Sequence, residues 1–286
     1  MADAPTIVRE VETFYRAYID GFNRQDTDAF LHSFHYPSAF LSGDKGIILS
    51  ARESDQQRFY QQTMADLHKR RWGRSGIDRL QVWPFADDLA MIVADVTRYT
   101  EDGTILEQLR ACYLVRKESG AWKILLFTEI RPPFSGPGEP RGGDAPDAGP
   151  IRGEVESFYR AFIDGFNRED TDMYLRSFCY PNALVGGEQG ITIHAKESDQ
   201  QRFYQQLMAS IQGRGWDHTG VDRLQVWPFS DSLAMVIADI TRYKKDGAVL
   251  EKGRYCYTVR KDGGAWKILT LAEIRPPFTG PGEPRG

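Results

Sequence analysis

TFYRAYIDGFNRQDTDAFLHSFHYP, residues 13–37, decides the architecture, because the chain writes it again as SFYRAFIDGFNREDTDMYLRSFCYP at 157–181. In the first copy Val11, Phe14, Tyr15, Tyr18 and Ile19 recur at helical spacing and form one apolar stripe. The pattern predicts two amphipathic helices broken at Gly21-Phe22-Asn23. Asp26 suits the N-cap of the second helix, with Phe30, Leu31 and Phe34 as its apolar face. Tyr36-Pro37 ends it, since the residue before a proline is driven towards extended geometry.

The repetition extends far beyond this stretch. Residues 7–142 align with 151–286 at a constant offset of 144, without gaps, and about two-thirds of the positions are identical. A period of that length is a whole domain, not a solenoid unit. The expected organisation is a first domain over 1–131, a Pro/Gly-rich linker over 132–150 and a second domain over 151–286 that ends in a similar Pro/Gly-rich tail. Repetition of PPFSGPGEPRG as PPFTGPGEPRG follows from the duplication itself.

The strands come next within each copy. Phe40 to Leu49 reads as a hairpin turning at Gly43-Asp44-Lys45-Gly46. Ser54 with Gln57 forms a capping-box pattern opening a third helix over about 55–68, and 69–76 reads as a charged loop. Strand signals follow over 79–84, 89–99, 106–117 and 122–130. Glu101-Asp102-Gly103 and Glu118-Ser119-Gly120 supply hairpin turns. Helices, a strand pair, a helix and a long antiparallel meander make an α+β domain, with a curved sheet wrapped round helices.

Composition narrows the function classes. The 286 residues carry a formal charge of -4, which gives no electrostatic case for nucleic acid or an anionic membrane. No apolar run reaches the roughly 20 residues of a membrane span, and the N-terminus lacks the basic and apolar regions of a signal peptide. Cys112, Cys179 and Cys256 form neither a disulfide framework nor a zinc site. No histidine pair has metal-ligand spacing, and no phosphate loop, nucleophile elbow or dinucleotide fingerprint occurs. The expectation is a cytoplasmic protein without a cofactor or a metal.

FYRAYIDGFNRQDTDAFLHSFHYP, the capped third helix, Leu89-Ala90-Met91-Ile92-Val93 and Gly120-Ala121-Trp122-Lys123-Ile124, in this order, resemble the nuclear transport factor 2-like superfamily. That group includes polyketide cyclases, ketosteroid isomerase, scytalone dehydratase and limonene epoxide hydrolase. The resemblance spans nearly all of both copies. It implies a tandem pair of cone-shaped α+β barrels with apolar pockets. It also implies pairing through the outer sheet face, between the two copies or in a homo-oligomer. Carried over by position, the oxyanion-hole tyrosine of ketosteroid isomerase falls on Tyr18 and Phe162. Its general-base aspartate falls on Ser42 and Gly186, which cannot abstract a proton. A histidine that many relatives place six residues after the last-strand tryptophan is Thr128 or Ala272 here. The family bases are therefore absent.

Asp95 and Asp239 interrupt the apolar strands AMIVADVTRY and AMVIADITRY. A carboxylate there is either a general base in a dry pocket or a structural partner of an arginine, Arg98 or Arg110 in the first copy and Arg242 or Arg254 in the second. Tyr15 and Tyr159, on the first helix, and Tyr36 and Tyr180, at the expected end of the second, are candidate phenol donors or core tyrosines. His35, which aligns with Cys179, is a candidate acid or base in one copy only. Trp83 and Trp227 are candidates for a pocket mouth or for plain packing. Glu129 and Glu273, each two residues before an arginine, read as rim salt bridges.

Divergence between the copies adds a further expectation. Ile48/Thr192 with Ser50/His194, Leu109/Gly253 with Ala111/Tyr255, and Leu126/Thr270 with Thr128/Ala272 each differ two residues apart, so each pair shares a strand face. By resemblance, the face carrying Trp122, Ile124, Leu126 and Thr128 looks into the cone. The two cavities then differ in shape and polarity. One reading is a cofactor-independent isomerase, dehydratase, cyclase or other lyase acting on a small apolar molecule. The other is a non-catalytic ligand-binding or protein-docking module.

Overall fold

The computed structural model describes residues 4–42, 46–130, 149–186 and 191–274. The chain forms two compact units. The first runs α1 (Ala4–Asn23), α2 (Thr27–His32), β1 (Phe34–Ser42), β2 (Gly46–Ser50), α3 (Glu53–Lys69), β3 (Trp72–Ala86), β4 (Leu89–Thr100), β5 (Ile105–Glu118) and β6 (Ala121–Ile130). The second repeats it as α4 (Gly149–Asn167), α5 (Thr171–Arg176), β7 (Phe178–Val185), β8 (Ile191–His194), α6 (Glu197–Gly213), β9 (Trp216–Ser230), β10 (Leu233–Lys244), β11 (Val249–Asp262) and β12 (Ala265–Ile274). Among the described residues no helix is long and apolar enough to cross a membrane.

Each unit is α+β, with one six-stranded sheet in the order β2-β1-β6-β5-β4-β3 or β8-β7-β12-β11-β10-β9. The sheet is curved but open, so the expected barrel closure does not occur. Nor is it wholly antiparallel: β1 runs parallel to β6, and β7 to β12. The connection from β1 to β6 runs through β2, α3 and β3 to β5, long enough to bring the chain back alongside β1 in the same direction.

Helix α1 buries Ile7, Val11, Tyr15, Tyr18, Ile19 and Phe22 on the stripe expected from spacing. Gly21 lies inside this helix and is not its break. A Cβ there would stand 3.2 Å from the Ala29 methyl, so the glycine serves close approach of α2. The chain turns at Gln25, with φ of 56°. Asp26 then caps α2 as expected, its carboxylate accepting from Ala29 N at 3.0 Å. Asn23 ties α1 to β3 through both ends of its amide, donating to Ser75 O at 2.9 Å and accepting from Ser75 N at 2.8 Å.

Three local expectations move. Helix α2 stops at His32, and Phe34, Tyr36 and Pro37 belong to β1, with cis peptides at Tyr36-Pro37 and Tyr180-Pro181. Phe34 faces the core as a strand residue, which mimics helical spacing over so short a run. The cap of α3 lies two residues earlier than Ser54: Asp55 accepts from Arg52 N at 3.0 Å. The span read as a loop from Lys69 becomes β3 from Trp72 onward, because Trp72 is buried and pairs with Thr100. The β1–β2 hairpin forms, with Gly43-Asp44-Lys45 outside the described residues. Most of the expected linker, and Arg131 and Arg275, the arginines two residues after Glu129 and Glu273, also lie outside them. Gly149 and Pro150, placed in the linker by composition, open α4.

Candidate functional site

Alternation sets which side chains meet inside the second unit. Val236, Ala238 and Ile240 of β10 pack on Tyr159 and Phe162 of α4, so Arg242 continues the same inner face. Tyr255 and Tyr257 of β11 and Leu271 and Glu273 of β12 extend it. Phe166 from α4, Tyr174 from α5 and Phe203 and Leu207 from α6 close the walls. These residues enclose a cavity of about 940 Å³. That volume suits a drug-sized or smaller organic molecule.

The cavity is aromatic within and charged at one side. Arg242 is 8% exposed and bonds to Glu251, which Arg214 also holds. The Arg242 guanidinium stands 5.9 Å from the centre of the Tyr255 ring, within cation–π range. Burial raises the phenol pKa of Tyr255, against the opposing pull of Arg242. Burial likewise raises those of Tyr159, Tyr174 and Tyr257. All four phenols therefore stay protonated and can donate hydrogen bonds at neutral pH. Glu273 lies directly opposite Tyr255 in the β11–β12 register.

A buried relay stands behind one wall. His194 Nδ1 meets Gln200 Oε1, and Gln200 Nε2 donates to Tyr174 Oη at 3.1 Å. With Nδ1–H donating to the amide oxygen, Tyr174 is an acceptor from Gln200 and its own O–H is left to point elsewhere. In the first unit Phe30 and Ser50 replace Tyr174 and His194, and Gln56 Nε2 is buried without a hydrogen bond. Phe30 packs on Tyr60 at 4.3 Å much as Tyr174 packs on Tyr204 at 4.2 Å, so the added hydroxyl fits. Phe30→Tyr is therefore expected to stabilise the first unit by about 1 kcal/mol. Urea unfolding of the variant checks this; a loss of stability would mean that the hydroxyl cannot reach the amide.

The expected site residues divide by sheet face. Arg242 and Tyr255 line the cavity, and Arg98 is the inner-face counterpart of Arg242 in the first unit, bonded to Glu107 at 2.7 Å and Glu129 at 2.8 Å. Asp95 and Asp239 alternate to the outer face. Arg110 Nε donates to Asp95 at 2.8 Å and Arg254 Nε to Asp239 at 2.7 Å, with a second bond from each fork, so these are structural ion pairs. Trp227, opposite Met235, shares that outer face, as Trp83 does opposite Met91.

Other candidates are occupied elsewhere. The hydroxyls of Tyr36 and Tyr180 donate to Leu31 O at 3.0 Å and Leu175 O at 2.9 Å, finishing α2 and α5. His35 Nδ1 contacts Pro37 O at 3.1 Å, and its Nε2 lies 3.7 Å from Glu118 at the end of β5. Tyr18 packs among Phe30, Phe34 and Tyr113 in the core. Tyr15 meets Tyr113 edge-on at 5.1 Å, and Tyr159 reaches Tyr257 Oη at 3.4 Å beneath the cavity.

Leu126, Thr128 and Thr270 do not face the cone. Pairing runs Leu114↔Leu126 and then Val115↔Ile124, so Leu125 is an extra residue; Thr258↔Thr270 and Val259↔Ile268 repeat the bulge. One inserted residue reverses the faces beyond it. Ile124 and Phe127 both point inward, as do Leu271 and Glu273. Thr128 instead donates to Leu41 O at 2.9 Å. Sequence reasoning thereby missed Glu273 as a cavity residue. It missed Tyr174 too, whose signal was the Phe30/Tyr174 difference between the copies.

The inner faces of the two units differ in bulk. Phe40 and Phe127 stand where Leu184 and Leu271 line the cavity. Their rings lie 4.7 Å apart, with Phe59 5.8 Å and Tyr113 5.8 Å from Phe127. Four rings thus pack together where the second unit is hollow. Leu109 and Ala111 become Gly253 and Tyr255. A Cβ on Gly253 would stand 2.8 Å from the Tyr255 ring, so the glycine makes room for it.

The family model described as NTF2-like protein (DUF6841) matches residues 9–131 and 153–276. No curated protein matches the chain. Among solved structures it is similar to an NTF2-like protein of unknown function from Pseudomonas putida KT2440, at 13% identity and a TM-score of 0.38, covering 51% of this chain and 96% of that one. It is similar to a dehydratase candidate of the NTF2-like family from Streptomyces avermitilis, at 12% identity and a TM-score of 0.38, covering 46% and 99%. The protein Aln2 from a Streptomyces species matches at 17% identity and a TM-score of 0.38, covering 46% and 94%.

Proposed function

From the premise that both halves of this chain belong to the NTF2-like family DUF6841, we propose that the second unit is a cofactor-independent acid–base site for a small, largely apolar molecule. The observation that carries this is the aromatic cavity of about 940 Å³ that holds both a carboxylate and protonated phenols. Glu273 and Tyr255 face each other across β11 and β12. In an isomerase or lyase reaction, Glu273 accepts a proton from carbon beside a ligand carbonyl. The Tyr255 hydroxyl donates a hydrogen bond to the oxygen on which charge develops. Glu273 then returns the proton, at the same or a neighbouring carbon, or a leaving group departs. Glu273 and not Asp239 is the base in this reading, since Asp239 lies on the other sheet face, bonded to Arg254.

Exchange of carbon-bound hydrogen tests the chemistry without knowledge of the product. A panel of cyclic ketones in deuterated water, followed by mass spectrometry, is expected to include at least one whose α-deuteration the protein accelerates. Glu273→Gln should reduce that acceleration by about 10²–10⁴-fold while ligand binding persists. Binding with equal exchange in wild type and Glu273→Gln favours the other reading, a ligand carrier. That reading draws on Arg242, Arg214 and Glu251 holding one another at the cavity wall, which suits recognition as well as turnover.

A further inference from the structure

We infer that the molecule taken by the second cavity carries an anionic group, a carboxylate on an aromatic or alicyclic body, and that Arg242 receives it. This rests on the cavity reading above and adds the class of ligand. The two units hold the same arginine in different states. In the first, one end of the Arg98 fork goes to Glu107 and the other to Glu129, and both acids lie on the inner face. In the second, Arg242 keeps Glu251 through Nη1, but among the described residues no ion pair joins it to Glu273, which is exposed. Tyr255, opposite Glu273 in register, stands where Ala111 leaves room for Glu129 to reach Arg98.

A guanidinium has five donors in a planar fork, and its second edge matches a carboxylate. Arg242 is 8% exposed, and its Nε is buried without a hydrogen bond. The neighbour that replaces Glu129 beside its fork is the neutral Tyr255 hydroxyl, which leaves the guanidinium charge matched, among the described residues, by Glu251 alone. A buried cation with spare donors on the wall of an apolar cavity is a site for a complementary anion. Arg98 Nε lacks a partner as well, so the difference lies in the fork end that Glu129 fills in the first unit.

The charges around the cavity changed in the same direction. Its lining carries Arg214, Arg242 and Lys252 against Glu251 and Glu273. The aligned positions of the first unit carry Arg70 and Arg98 against Asp66, Glu107 and Glu129. Three cations against two acids replace two cations against three acids, through Asp66/Ser210 and Gln108/Lys252. Both of these positions are exposed in the second unit, so they change the field at the mouth and leave the packing alone.

Matched acid and amide probes separate the charge from the apolar body. Benzoate, cinnamate and 2-naphthoate are titrated into the full chain by calorimetry, each beside its neutral amide. At least one acid is expected to bind ten-fold or more tightly than its amide, and Arg242→Gln to remove that preference while the amide binds within two-fold of wild type. Circular dichroism checks that this variant folds. Should it not fold, Ser210→Asp with Lys252→Gln carries the test from exposed positions, with a loss of at least three-fold for the acid and none for the amide. Acid and amide binding equally would overturn the anion and leave the cavity reading intact. If no probe of either kind binds, the cavity reading fails and this inference with it.

Discussion

Arg254→Met is expected to destabilise the second unit by about 3–5 kcal/mol, the usual cost of leaving one partner of a buried ion pair behind. Arg254 is 2% exposed and bonds to both oxygens of Asp239, so the substitution leaves a largely buried carboxylate without its two-bond partner, with Arg223 opposite it in register as a remaining cation. Urea unfolding followed by tryptophan fluorescence reads the loss. Arg254→Met with Asp239→Leu is expected to recover most of it, because removing both charges also removes their desolvation. Ligand binding in the cavity should be unchanged by Asp239→Asn, since that side chain lies on the opposite sheet face. A variant at Asp239 that folds normally and loses binding or proton exchange would contradict this placement.

Leu184→Phe with Leu271→Phe is expected to abolish ligand binding in the second unit, with affinity falling at least 100-fold. The two substitutions copy the first unit, where Phe40 and Phe127 pack at 4.7 Å in the equivalent space. Filling a hollow with well-placed rings adds buried apolar area, so stability should hold or rise. Calorimetric titration beside a melting curve distinguishes a plugged cavity from an unfolded protein. Undiminished binding in the double variant would show that the ligand sits outside the cone.

The duplication, the helices, the strands and the α+β class were legible because each rests on local pattern: a stripe in α1, apolar runs in β4 and β10, and glycines at the hairpins. Faces beyond a bulge were not legible. Leu125 carries no mark in the sequence to say that two residues oppose one, and with it the inward set shifts from Leu126 and Thr128 to Phe127 and Glu129. The place of Asp95 in an apolar strand left two readings open, a general base or a partner of an arginine. The choice between Arg98 and Arg110 depended on register, which places Asp95 opposite Arg110. Arg98 and Arg242 were visible as candidates, but their differing states arise from Ala111/Tyr255 on the neighbouring strand. Comparing the copies found that position; only the packing explains what it does.

The tight fit of Tyr255 over Gly253 also constrains the history of the two halves. Leu109 with Ala111 and Gly253 with Tyr255 are the two working combinations, separated by two substitutions. A leucine beneath the Tyr255 ring would begin from a 2.8 Å clash at its first side-chain carbon. Glycine with alanine leaves only an unfilled space. Whichever pairing the ancestral half carried, the route through glycine and alanine avoids that contact, so sterics favour a step that empties the space before one that fills it.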